Sequence, residues 1–204
     1  MYVPRYLAQI SVDRLAVFPF DDEETFAVLQ SSFHYHWAWR YSSTMRLDIN
    51  YSPSDCLKTF PFPRSGSDIG RSGRLYYQMR QSIMRSATEG LTKTYNRFHN
   101  PEVSAVDIQK LRELHAEMDH QVAAAYGWTD MDLGHDFHQI KQGIRFTVSE
   151  AARREVLDRL LALKHERHKE ETAQGLHENS TKKTKAPGNK KRKKKDDSTI
   201  TMAF

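Results

Sequence analysis

A chain of 204 residues with 38% hydrophobic and 28% charged side chains carries enough apolar material for one or two compact domains, and its single cysteine, Cys56, excludes an intrachain disulfide and a cysteine-based zinc site. No apolar run approaches the length of a membrane span and the first residues lack the apolar core of a signal peptide, so a cytoplasmic protein without a membrane partner is expected. The net charge of +5 is unevenly spread: nine Lys and Arg stand against Asp196 and Asp197 beyond Thr181, so the pI of about 9.2 describes the tail rather than the body.

Within the body, Arg40 to Arg97 holds ten Lys and Arg against Asp48, Asp55, Asp68 and Glu89, whereas Glu102 to Asn179 holds ten against fifteen acids. A positive segment of that size suggests a phosphate-binding surface; salt bridging to the acidic half is the alternative.

In chain order, Leu15-Ala-Val-Phe18 predicts a buried strand. Asp21 to Glu24 place acid charge where a helix begins, and Phe26, Leu29, Phe33 and Trp37 recur at helical spacing, which predicts a helix from about Glu23 to Arg40. A strand follows, in which Leu47, Ile49 and Tyr51 alternate with Arg46, Asp48 and Asn50, so that one face is apolar and the other polar. Ser52, Pro53 and Asp55 supply an N-cap, a first-turn proline and a capping acid for a short helix, which Phe60-Pro-Phe-Pro63 cannot continue.

After a Ser, Gly and Arg loop, Leu75, Met79, Ile83, Ala87, Leu91, Tyr95 and Phe98 predict one long helix closed by Asn100-Pro101. Ser104 and Asp107 repeat the capping pattern before a second long helix through Ile108, Leu111, Met118 and Tyr126, with Gly127 as its stop. Ile144, Phe146 and Val148 alternate as a short strand, and Ser149 caps a last helix through Val156, Leu160 and Leu163. Past about Glu171 the scarcity of apolar residues predicts a disordered, Lys-rich tail.

The ordered series Ser31-Ser-Phe-His34, Trp37, Tyr41-Ser-Ser43, Asp48-x-Asn-Tyr-Ser-Pro-Ser-Asp55 and Phe60-Pro-Phe-Pro63 resembles the end of the target-recognition domain in MmeI-like single-chain type II restriction-modification DNA methyltransferases and related phage-defence methylases. Tyr95-Asn-Arg-Phe98, Leu114-His-Ala-Glu-Met-Asp119, Ala125-Tyr-Gly-Trp128 and the run from Arg153 to Leu163 are similar to the helical C-terminal domain that follows in those enzymes. The resemblance runs from about Asp13 to Glu171. It implies an α+β chain: the end of a recognition domain over 1–63, a helical domain over 64–171 and a tail over 172–204.

The implied function is DNA target recognition for adenine-N6 methylation with S-adenosylmethionine, on double-stranded DNA and with a methyltransferase catalytic domain or subunit as partner. This sequence has neither a Gly-rich cofactor loop nor an Asn/Asp-Pro-Pro-Tyr motif, and Asn100-Pro-Glu-Val103 lacks the ring on which an extruded base would stack. No catalytic residue and no cofactor is therefore expected in this chain. A helical module bridging methyltransferase and nuclease parts, or a truncated gene remnant, is the alternative.

The expected base readers are Arg46, Asp48 and Asn50, whose side chains match guanine, cytosine and adenine edges; Arg40, Ser42, Ser43, Arg71 and Arg74 complete the expected DNA-facing set. Trp37 reads as core and Trp39 as the cap of a hydrophobic edge, ahead of base stacking. The pairs His34 with His36, His115 with Asp119, and His135-Asp136 with His138 lack a third ligand at clear spacing, so no metal site is expected.

Overall fold

Where the sequence predicts one helix from Glu23 to Arg40, the chain forms two, α1 (Glu23–Gln30) and α2 (Ser32–Tyr41). This is a computed structural model that describes residues 21–45, 48–64 and 69–174. Asp22 caps α1 by accepting the Thr25 amide at 2.6 Å. Ser31 then leaves the helix (φ −69°, ψ 159°), and its hydroxyl donates to the Val28 carbonyl at 2.7 Å. The buried Asp119 carboxylate, 87 residues further along, accepts the Ser32 amide at 2.8 Å and so takes one of the amides that a helix start leaves unpaired. The break is therefore a tertiary decision, and the apolar spacing on either side of it is unchanged.

The elements that follow are β1 (Ser43–Met45), β2 (Asp48–Asn50), α3 (Ile69–Ser86), α4 (Leu91–Phe98), α5 (Val106–Ala125), β3 (Asp136–Ile140), β4 (Gly143–Thr147) and α6 (Glu150–Ala173). The fold is α+β and mainly helical, with two separate antiparallel hairpins among the described residues, β1–β2 and β3–β4. Two compact units divide after Glu166, inside α6; of the second, residues 167–174 are described and are almost all helix.

Four local expectations need correction. The long helix from Leu75 to Phe98 is interrupted: Thr88 takes the left-handed conformation (φ 50°), its amide donates to Arg85 and that of Glu89 to Met84, a closing pattern that ends α3. Residues 53–59 form hydrogen-bonded turns rather than a helix, because Phe60-Pro61 stops the chain before a second turn propagates. The N-cap of α5 is Ala105, with no side-chain cap bond, so Ser104 does not serve there. Finally, the strand around Phe146 has a partner that alternation did not reveal, β3, paired Phe137 to Phe146 through a turn closed by Gly143 at φ 97°. Ser149 caps α6 as expected, accepting the Ala152 amide at 3.1 Å. The expected strand over Leu15–Phe18 and the expected tail lie outside the described residues.

The core joins residues from both sides of Pro63: Phe33, Trp37, Tyr76, Phe98, Leu111, Met118 and Leu160 are buried in one cluster. Helix α3 crosses α1 at Gly73, where a Cβ would stand 2.7 Å from Ala27 Cβ and 2.9 Å from the Glu23 carbonyl. Arg112, buried on α5, fixes the α4–α5 connection by donating to the carbonyls of Phe98, Val103, Asn100 and Arg97 at 2.8–3.1 Å. That connection contains Asn100-Pro101-Glu102-Val103, which is thus a structural turn.

Candidate functional site

The first hairpin is carried by the end of α2. Its register sets Ser43 opposite Asn50, Thr44 opposite Ile49 and Met45 opposite Asp48. Directly opposed residues share a side of an antiparallel ribbon, and the side alternates at each step. By register, Ser43, Met45, Asp48 and Asn50 therefore fall on one side and Thr44 and Ile49 on the other. Ile49 and Tyr51 line an interior cavity, as the predicted alternation requires. Arg46 lies outside the described residues.

Side chains lock the segment after the hairpin to α2. The Ser42 hydroxyl lies 2.8 Å from Cys56 Sγ. Phe60 packs edge-on to both Trp37 and His34, and the Tyr126 hydroxyl donates to the Pro61 carbonyl at 2.9 Å. His34 Nδ1 meets the Leu29 carbonyl at 3.2 Å and its Nε2 meets the Tyr51 hydroxyl at 3.1 Å. Since a carbonyl only accepts, Nδ1 carries the proton and Nε2 accepts from Tyr51. Burial pushes the Tyr51 phenol up to about 12 and the His34 ring down to about 4.

Outside this anchor lies a groove of about 450 Å³, lined among others by Tyr35, Trp39, Arg40, Lys141, Arg153 and the acidic Glu150. Arg40 is exposed in the last turn of α2 and has no salt bridge among the described residues. Arg153 is 3.8 Å from Glu150. Trp37 is fully buried in the core, as expected; Trp39 and Tyr35 are partly exposed. Lys141 and Arg153 escaped the sequence reading because the groove depends on the β3–β4 turn, and β3 was not found.

The other basic residues divide. Arg71, in the first turn of α3, is exposed. Arg74, one turn on, is forked onto the Glu23 carboxylate, with Nε 2.6 Å from Oε1. Arg80 is buried, donating to Gln30 at 2.6 Å and Tyr95 at 3.0 Å and lying over the rings of Phe26, Tyr76 and Tyr77. Arg97 bridges Glu89 at 2.8 Å and Asp107 at 3.2 Å. Part of the positive segment is thus engaged internally, and of these pairs Arg97 with Asp107 is the one that reaches the acidic half.

The cavity that Ile49 and Tyr51 line lies beneath α2, measures about 370 Å³, and is also lined by aromatic rings and by His34, His99, His115 and Arg145. Burial holds His99 down at about 3, helped by Arg145, and His36 at about 4, helped by Arg153. Beside this cavity, His135 Nε2 lies 2.8 Å and His115 Nδ1 3.6 Å from Asp119 Oδ2. Burial raises the Asp119 pKa, but the facing His115 and His135 rings and the Ser32 amide outweigh it and hold the carboxyl below its ordinary value. The sequence pairs His115 with Asp119 and, separately, His135-Asp136 with His138; the structure instead brings His135, from the α5–β3 connection, to the first pair.

No protein-family model, curated protein or solved structure matches this chain. No helix among the described residues is long and apolar enough to cross a membrane.

Proposed function

We propose that this chain supplies DNA target recognition to an adenine-N6 methyltransferase of a restriction-modification or phage-defence system, the S-adenosylmethionine site and the methyl-transfer motif being absent from this sequence. The reading begins from the ordered motifs between Ser31 and Leu163. The observation that carries it is the groove lined by α2, the β3–β4 turn and α6, where Arg40, Lys141 and Arg153 can meet phosphates while Tyr35 and Trp39 offer partly exposed ring faces. The polar side of a two-stranded ribbon fits the width of a major groove. By register, Ser43, Asp48 and Asn50 share one side with Met45, anchored to a helix whose own side chains are packed, and base reading needs such stiffness.

The test is binding of the purified chain to a fluorescent duplex across a salt series, in wild type and in the Arg40→Ala, Lys141→Ala double variant. The log–log salt slope should shallow by about 0.9 for each phosphate contact removed, with weaker binding at every salt concentration. Unchanged affinity and slope would remove DNA from this groove. A protein-bridging module would show that outcome.

A further inference from the structure

We propose that His115, Asp119 and His135 form a binding site for a single divalent transition metal of the zinc class, with a coordination position left open beside the cavity under α2. One donor atom from each residue lies within 4.8 Å of the other two. Asp119 is fully buried, and the His115 and His135 side chains are 11% and 7% exposed.

The orientation of His115 is the decisive feature. Its Nδ1 is buried without a hydrogen-bond partner and lies 3.6 Å from Asp119 Oδ2. In the neutral ring with its proton on Nε2, Nδ1 presents a lone pair. That lone pair faces the Asp119 carboxylate at 3.6 Å. Two electron-rich atoms facing each other away from water repel unless positive charge lies between them. A metal ion held by both atoms resolves the clash, and His135 Nε2 is already 2.8 Å from the same carboxylate oxygen; it becomes a ligand when its proton moves to Nδ1.

The surroundings have the form of a supporting shell. Metal-bound imidazoles characteristically donate their other N–H to a carbonyl or carboxylate, and ligating carboxylates are themselves hydrogen-bonded. Here the Ser32 amide occupies Asp119 Oδ1 at 2.8 Å, which leaves Oδ2 for the metal. The i, i+4 spacing puts His115 and Asp119 on one face of α5. His135 is presented by a connection pinned where the Ser149 amide donates to Leu133 at 2.9 Å, and its ring stacks on Phe146.

Two imidazoles and one carboxylate suit zinc, cobalt or ferrous iron, whereas calcium and magnesium require more oxygen ligands. Tetrahedral bonds of about 2.0–2.2 Å place donors roughly 3.3 Å apart, so binding moves His115 Nδ1 slightly inward from 3.6 Å and His135 Nε2 slightly outward from 2.8 Å of Asp119 Oδ2. The inference stands independently of DNA recognition.

The test uses the full chain, stripped with EDTA and titrated with Co²⁺ while visible d–d absorption is followed, then with Zn²⁺ to displace it. One equivalent of cobalt should bind, zinc should bleach the band, and zinc should raise the melting temperature. Asp119→Asn keeps the acceptor for Ser32, and His135→Gln alters a side chain outside the α5 core. Each should weaken binding beyond the ~10–100-fold cost of losing a supporting residue and should abolish the thermal shift. If Asp119→Asn fails to fold, His135→Gln decides alone. No cobalt band and no zinc shift in wild type would overturn the site, as would wild-type affinity in His135→Gln.

Discussion

Lowering the pH from 7 to 5 should remove a large part of this fold's stability through two histidines of one helix. His34 and His36 are both buried on α2, and each is held at about 4 against an ordinary value of 6.5. Burial dominates both. The titratable or charged groups around them are Tyr51 for His34, and Arg153, Asp119 and His115 for His36. The rings are neutral in the folded chain, while the unfolded chain takes up protons near 6.5. Stability is therefore complete above about 6.5, falls as the pH drops, and stops falling once it passes about 4.

Integrated to pH 5, each ring costs roughly 2 kcal/mol and the pair about 4, against a total of about 5–15 kcal/mol for a domain. Urea unfolding at pH 7 and pH 5, followed by tryptophan fluorescence and circular dichroism, measures the difference. His34→Gln, which can still bond Tyr51, should remove roughly half of this contribution to the pH dependence. Stability flat to within about 1 kcal/mol between the two pH values would refute neutral burial of these rings.

Gly73→Ala should cost about 1–3 kcal/mol, because the added methyl meets Ala27 Cβ at 2.7 Å and the Glu23 carbonyl at 2.9 Å; a thermal melt checks it, and an unchanged midpoint would mean that α1 and α3 do not cross this closely. Cutting the chain after Asn179 removes the nine Lys and Arg beyond Thr181. Nonspecific duplex affinity should then fall and its salt slope flatten by up to about 0.9 per phosphate released, with any sequence preference preserved; an equal slope would show that the tail does not touch DNA.

The features legible in the sequence were local ones. Helices α5 and α6, the Ser149 cap and the burial of Trp37 follow from spacing and residue type, and the sides of β2 follow from alternation at Ile49 and Tyr51. The rest is decided by distant partners. Ser31 breaks a helix where Asp119 supplies an acceptor for the next amide. Asp-Phe-His-Gln-Ile over β3 has too few apolar residues to announce a strand, so the β3–β4 turn and Lys141 beside the groove were invisible. Arg74, Arg80 and Arg97 count as positive charge in a sum, yet each is engaged by groups of this chain. His135 joins His115 and Asp119 through a loop, where periodicity carries no information.

Mapping methylated adenines tests DNA reading most directly, with the chain assembled on its catalytic partner and carrying Asp48→Ala or Asn50→Ala. Each aligned base contact contributes about 1–3 kcal/mol of discrimination, so the account predicts a recognition word relaxed or altered at one position in each variant, with folding and cofactor binding intact. An identical word, methylated at wild-type rates by both variants, would contradict it.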